Sequence, residues 1–369
     1  MQVLKGKYNY AKVMTDNIDD TTKDQIVSML NHPAFKGSNI VIQADCHAGC
    51  GAVIGFTATM NKYIIPNIVG VDIGCGMLMG IYDVGDINLE GLDDFIKRNI
   101  PAGFSINDKV KGIDSSLNKD IMAICATIGI DNDRALKSVG TLGGGNHFIE
   151  AGRMRNGKLA ITIHSGSRNF GLQIANYYQA IAKEQCDNYF INLPKQEFLL
   201  VDSIEGQAYL KATKIAQRYA TANRVEMLNR ISAFIGKYPD FTHETIHNYI
   251  GEDNIIRKGS IAAHTNEVCI LPFNMADGIA LCYGKSNNNF NYSAPHGAGR
   301  VMGRREAKRK LDMPEFTKRM QGIYTTTAVE STIDEAPMAY KPMAEIVKNT
   351  EDTLDIIEVI KPIYNFKSV

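Results

Sequence analysis

The sequence predicts a mixed α and β fold built as one large domain over residues 1–369, and three observations predict it. β-Branched runs alternate with segments of helical spacing along the chain. No linker rich in Pro, Gly or Ser, no internal repeat and no low-complexity tract divides it. The residues best suited to chemistry lie in both halves, so only a shared fold can bring them together.

In order, TTKDQIVSMLNH reads as a short helix capped by Asp20 or Thr21. SNIVIQAD (38–45) reads as a buried strand, and residues 52–83 as strand-like runs between glycine turns. LEGLDDFIKRNI (89–100) has helical spacing, and KLAITIHSG (158–166) is a strand that carries His164 at its end. Residues 171–191 and 205–237 read as helices, the second the longest of the chain. RKGSIAAHTNEVCILPFN (257–274) reads as a β-hairpin, residues 303–321 as helical around Pro314, and DTLDIIEVIKPIYNFK (352–367) as a strand pair or one long strand.

Composition narrows the class. With 44% hydrophobic and 22% charged residues the chain can bury a large core. No apolar run is long enough to span a bilayer, and MQVLKGKYNY lacks the apolar stretch of a signal peptide. Seven cysteines without a disulfide-like framework fit a reducing cytoplasm. The net charge is zero but unevenly spread. Residues 300–319 hold eight Arg or Lys against three acids, and residues 330–360 hold eight acids against two lysines. The basic stretch suits phosphate binding beside His296, or else a solvated helix face.

The chemistry-bearing residues stand in distinctive settings. Cys75 follows Asp72 by three positions in the glycine-rich VGVDIGCGM (69–77). Histidines occur in GTLGGGNHFIE (His147), IHSGSRNFG (His164), IHNYI (His247) and SAPHGAGR (His296). Asp, Cys and His together suit a borderline transition metal such as manganese, zinc or iron rather than calcium. A thiolate can bridge two metals, which makes Cys75 a natural shared ligand, although a lone cysteine is more often core packing. His147 and Glu150 would share a face on a helical turn, and Gly143–Gly145 would leave backbone amides free for an anion. Ser165, Ser167 and Arg168 suit phosphate. His243 and His247, four apart, have a spacing that binds zinc on a helix. His296 sits between Pro295 and Gly297, where small neighbours let a nucleotide approach a nucleophilic ring. Cys46, His47 and Cys50 match neither a zinc nor a haem pattern, and Asp45 reads as a support behind the metals. There is no K-x-D-G, and GIALCYGKS (278–286) has five residues between its glycines where a P-loop has four.

Taken in order, NIVIQADCHAGCGAVIG (39–55), PNIVGVDIGCGM (66–77), the four histidine motifs, RKGSIAAH (257–264), LPFNMADG (271–278), DEAPMAYKP (334–342) and PIYNFK (362–367) resemble the RtcB-type RNA ligases over nearly the whole chain. Members join RNA ends using GTP and divalent manganese. The resemblance implies a single domain with central β-sheets flanked by helices. It implies two Mn2+ ions, one on Asp72, Cys75 and His147 and the other on Cys75, His164 and His247, with His243 and His264 as ordinary histidines. It implies that His296 carries GMP covalently. The implied GTP contacts are Asn146, His147, Phe148, Ile149, Glu150, His247, Asn248, Pro272, Phe273, Asn274, Met275, His296, Gly297, Ala298, Gly299 and Lys367. Arg168 and Arg300 would bind phosphate or RNA. The implied partners are GTP and RNA bearing a 3′-phosphate or 2′,3′-cyclic phosphate and a 5′-hydroxyl, with an accessory activator protein as a further potential partner and no membrane. Cys50, Ala276 and Gly303 depart from the family pattern and bear on RNA preference. Two other readings are a two-metal phosphodiesterase or phosphatase, and an RNA-binding paralogue without catalysis.

Overall fold

A computed structural model describes residues 1–188 and 196–368. Its centre is a seven-stranded antiparallel sheet. Across it the strands run Phe241–Ile246, Gly76–Tyr82, Leu159–Ser165, Phe148–Arg153, Leu354–Lys367, Gly278–Gly284 and Val268–Asn274. The sheet curls until its outer strands meet: the Ile270 amide donates to Thr245 Oγ1 at 3.1 Å.

The period of two along each strand decides what each face holds. Met77, Met79, Ile81, Phe148, Ala160, Ile279 and Ile360 point into the curl and pack on one another. Leu78, Tyr82, Ile149, Ala151, Ile161, Ile163, Tyr364 and Phe366 point out. They bury against Met227, Leu228 and Ile231 of the 32-residue helix Ile204–Ile235. Burying such side chains is worth about 1.5–3 kcal/mol each, so this helix cannot be shifted without breaking the core.

A second, six-stranded sheet runs Gln2–Lys5, Tyr10–Val13, Ile40–His47, Ile54–Thr59, Ile255–Lys258 and Asn248–Ile250. A short pair, Ser260–Ala262 with Ser293–Pro295, ends immediately before His296. Among the described residues no helix is long and apolar enough to cross a membrane.

The mixed fold with central sheets and flanking helices agrees with expectation, and several local readings need correcting. Asp19, not Asp20 or Thr21, caps the first helix, its Oδ1 accepting from the Thr22 amide. Residues 257–274 are not a hairpin: Ile255–Lys258, Ser260–Ala262 and Val268–Asn274 pair with three different partners. The alternation of apolar residues is the same in either arrangement, so pattern alone could not separate them. The helix expected over 171–191 begins at Arg168 and runs to Asn188, and residues 189–191 lie outside the described residues. Pro314 sits in the first turn of Met313–Arg319, after a separate helix Arg304–Lys310, and 354–367 is one long strand.

Candidate metal centre and nucleotide pocket

The metal-ligand candidates come from one end of the seven-stranded sheet: His164 from the strand Leu159–Ser165, and the others from residues flanking the strands Gly76–Tyr82, Phe148–Arg153 and Phe241–Ile246. Cys75 Sγ lies 3.5 Å from His147 Nε2 and 3.3 Å from His164 Nε2. His164 Nε2 is 3.4 Å from His247 Nε2, and His147 Nε2 is 3.0 Å from Asp72 Oδ2. Donor atoms of Asp72, Cys75 and His147, and those of Cys75, His164 and His247, form two groups, each within 4.8 Å, that share the one sulfur.

Backbone carbonyls set the imidazole orientations. Leu142 O accepts from His147 Nδ1 at 2.8 Å, and Asn146 O from His164 Nδ1 at 3.1 Å. Each ring therefore presents Nε2 to the sulfur, the outer-shell arrangement common for metal-binding histidines. Burial, reinforced by the neighbouring cations, holds His164 and His247 well below the usual histidine range, so both are neutral. Burial and the Asp72 carboxylate push the Cys75 thiol up. Burial also works to raise Asp72, but His147 outweighs it and holds that carboxyl down to about 2. Three imidazole nitrogens, one sulfur and one carboxylate oxygen converge in two groups that share the sulfur. The donor set fits a cation.

Two buried polar residues of the long helix hold this cluster together. Asn223 Oδ1 accepts from the amides of Gly140 and Thr141, while its Nδ2 donates to Ser165 Oγ and Gly166 O. Arg224 donates to Gly74 O at 2.8 Å, to Ser165 O at 2.6 Å and to Glu244 Oε1. The segments bearing Cys75, His147 and His164 are thus pinned to one helix. Two glycines are obligatory here: a side chain at Gly166 would overlap Asp72 Oδ1, and Gly74, at φ 71°, backs onto Gln217 Cα.

Beside the cluster opens a cavity of about 270 Å³. Strand register fills it. His164 stands between Met77 and Phe148, Phe148 pairs with Lys367, and Glu150 pairs with Asn365. All these side chains face the cavity, as do Asn146, His247, Pro272–Met275, His296–Gly299 and Arg300. The expectation that His147 and Glu150 share a helical turn is overturned: Phe148–Arg153 is a strand, and Glu150 bonds Asn365 Nδ2 at 3.0 Å. Burial pushes Glu150 up to about 8, against the Asn365 hydrogen bond and the Lys367 charge. Ile149, expected at the nucleotide, points to the opposite face and lies in the core. Asn248 does not line the cavity; it braces the metal loop by donating to Asp72 O and accepting from the Gly259 amide. His243 lies on a strand, not a helix, and His264 pairs with Asp253, both away from the cluster.

His296 is held by Asp45. Its Nδ1 donates to Asp45 Oδ2 at 2.7 Å and its amide donates to the same oxygen at 3.2 Å. The ring lies 4.8 Å from that of His247. Asp45, read from the sequence as a support behind the metals, bonds the candidate nucleophile itself.

The far wall is built on Glu335, which the residue pattern did not single out. It accepts from Lys367 Nζ at 2.9 Å, Tyr340 OH at 2.6 Å and Arg300 Nη1 at 3.2 Å, and pairs with Arg304 at 2.5 Å. Burial opposes ionisation, but Lys367 and Arg304 hold the Glu335 carboxyl down to about 2. Lys367 Nζ also lies over the Phe148 ring, 5.3 Å from its centre. Part of the basic stretch is spent here: Arg304 and Lys308 meet Asp334 at the start of the acidic one. Arg168 reaches Gly103 O at 2.7 Å and lies against Gly143, outside the cavity.

The profile of the family described as "tRNA-splicing ligase RtcB" matches residues 25–131 and 126–368. The chain belongs to the RtcB family. Relatives of nearly the same length agree. The chain is 27% identical to the RNA-splicing ligase RtcB of Escherichia coli (strain K12), over 96% of this chain and 98% of that one. It is 26% identical to the tRNA-splicing ligase RtcB of Nanoarchaeum equitans, over 85% and 84%. It is 24% identical to the RNA-splicing ligase RtcB of Mycobacterium tuberculosis, over 88% and 95%.

Proposed function

We propose that this protein is an RNA ligase that activates ends with GTP through His296 and uses Mn2+ at the Asp72, Cys75, His147, His164 and His247 cluster. The observation that carries the reading is the Asp45–His296 contact. A carboxylate at Nδ1 fixes the proton there and leaves the Nε2 lone pair free, which is the state a nucleophilic imidazole needs.

In this reading His296 Nε2 attacks the α-phosphorus of GTP. A phosphorus–nitrogen bond forms, the bond to the β-phosphate oxygen breaks, and pyrophosphate leaves with the electron pair. Asp45 stabilises the positive charge that develops on the ring. A 2′,3′-cyclic end is first opened by water to a 3′-phosphate. An oxygen of that 3′-phosphate takes GMP from His296, breaking the phosphorus–nitrogen bond. The 5′-hydroxyl oxygen of the second RNA then attacks the activated phosphorus, GMP leaves, and the hydroxyl proton is lost to solvent. Bound metal ions supply positive charge for the phosphate oxygens. Arg300 and Lys367 offer cations at the opposite wall, and Asn365 Oδ1, which has no partner among the described residues, offers an acceptor for an N–H of the base.

The test is incubation with α-labelled GTP. Wild type is expected to take the label in an acid-labile linkage, and His296→Ala is expected to take none while still binding Mn2+. Label on His296→Ala would move the nucleophile elsewhere. Hydrolysis of phosphate esters by an unlabelled wild type would favour the phosphodiesterase reading instead.

A further inference from the structure

Phe104 is 96% exposed, the largest exposure of any large apolar side chain among the described residues. The backbone on either side of it is nevertheless held in place. On one side, the Gly103 amide donates to Gly143 O at 3.0 Å, the Leu142 amide donates to Pro101 O, and Arg168 Nη2 donates to Gly103 O at 2.7 Å. On the other, the Ser105 amide closes a turn on Ala102 O. Buried Asn107 donates to Lys137 O and Val139 O and accepts from Arg230. The loop backbone is fixed on both sides of Phe104, and it presents the ring to water rather than to the core.

Its position is informative. Gly143 begins the glycine turn that leads to His147, and Leu142 supplies the carbonyl that orients His147. A side chain on Gly144 would meet Gly103 and Ser368, and one on Gly145 would meet Arg304. Gly144 and Gly145 therefore form a lip of open backbone, while at Gly143 the Arg168 guanidinium fills the space a side chain would take. The lip runs from Arg304 at the cavity wall to the Gly103–Phe104 loop. Arg168 beneath it makes no ion pair among the described residues. Lys109 and Lys111 project from the same loop.

We propose that Phe104 is a stacking platform for an unpaired base of an RNA strand that crosses this lip with its backbone toward Arg168 and its terminal phosphate toward the metal cluster. This assignment rests on the RNA ligase reading. Every base has a π-face, so such a platform holds single strands without demanding a sequence. Open backbone at Gly144 and Gly145 lets a sugar–phosphate chain approach closely, and the cations bordering it complement phosphate.

The sequence contains no tryptophan, so Phe104→Trp places a single fluorophore at this position. Titration with a short single-stranded RNA carrying a 3′-phosphate is expected to quench its emission saturably, with affinity near wild type. Phe104→Ala is expected to bind the same RNA roughly ten-fold more weakly, with an unchanged melting temperature. Unmoved tryptophan emission at saturating RNA, or Phe104→Ala binding within two-fold of wild type, overturns the proposal. Self-labelling of wild type by α-labelled GTP is read in parallel and needs no RNA. If wild type takes the label and Phe104→Ala binds RNA undiminished, only the stacking assignment falls. If wild type takes no label, the ligase reading falls, and the quenching result still decides the role of Phe104.

Discussion

The metal cluster and the Glu335 wall face each other across one cavity and are built on opposite principles. At the cluster, metal-type donors converge on one another, and His247 Nδ1 has no hydrogen-bond partner among the described residues. At the wall, Lys367, Arg300, Arg304 and Tyr340 are all already bonded to Glu335. The first region has the donors to hold a cation. The second is complete in itself, so a ligand there must share or displace existing bonds. Ligand donors are gathered on one side of the cavity, and charges are already paired on the other.

The largest expected effect breaks the cluster. Cys75→Ala removes the donor common to both groups, so bound Mn2+ should fall from two ions per chain to none, together with labelling by GTP. Elemental analysis after desalting checks it, and two retained ions would refute a shared sulfur. Next, Arg224→Met should cost about 3 kcal/mol in urea unfolding, because it strips a fully buried cation from Glu244 and from two backbone carbonyls. It should also weaken Mn2+ binding, since Gly74 and Ser165 adjoin the candidate ligands Cys75 and His164. A stability change confined to a few tenths of a kcal/mol would show that the clamp is dispensable.

A smaller effect sharpens the wall. The Glu150 carboxyl, near 4.3 in an unfolded chain, is pushed up to about 8 by burial. Folded protein therefore binds more protons than unfolded protein between those values. The stability Glu150 contributes is full below about pH 4.3 and is lost as pH rises toward 8. Relative to Glu150→Gln, the Tm of nucleotide-free wild type should fall across this window by on the order of 5 °C. Parallel curves for the two proteins would mean that Glu150 ionises normally. The smallest effect lies at Gly303, which caps Arg304–Lys310 without a side-chain bond in open space. Gly303→Ser should add a few tenths of a kcal/mol, measurable as a slight rise in urea midpoint.

The same contrast explains what the sequence could reveal. Asp72, Cys75, His147, His164, His247 and His296 each stand in a short motif that is weak alone, and only the ordered set, through its resemblance to a family, singles them out. Period-two alternation also makes the strands Leu159–Ser165 and Leu354–Lys367 readable. Pairing is another matter. Nothing local distinguishes a hairpin over 257–274 from three strands with separate partners, because each residue keeps the same burial in both. Ile149 was misplaced for a related reason: a motif is contiguous, but a strand sends every second residue to the other face. Asn223, Arg224 and Glu335 were missed because a polar residue on a long helix, or an acid in an acidic stretch, looks solvated until tertiary contacts bury it. Spacing does give one retrospective signal. Arg224 lies between Met227 and Ala220 on the helix face that carries the core.

The strand Leu354–Lys367 lies between Phe148–Arg153 and Gly278–Gly284, and it pairs Asn365 with Glu150. The ribosome makes one neighbour about two hundred residues before the strand that joins it. At roughly 5–20 residues per second that is an interval of roughly 10–40 s. Throughout that interval the Phe148–Arg153 edge is an open template for any extended chain nearby. A nascent chain arrested before residue 354 has the candidate metal ligands but neither Lys367 nor a closed sheet. Partial synthesis of this protein therefore yields a sticky fragment instead of a weak enzyme, and its cellular yield should depend on chaperones that cover strand edges during elongation.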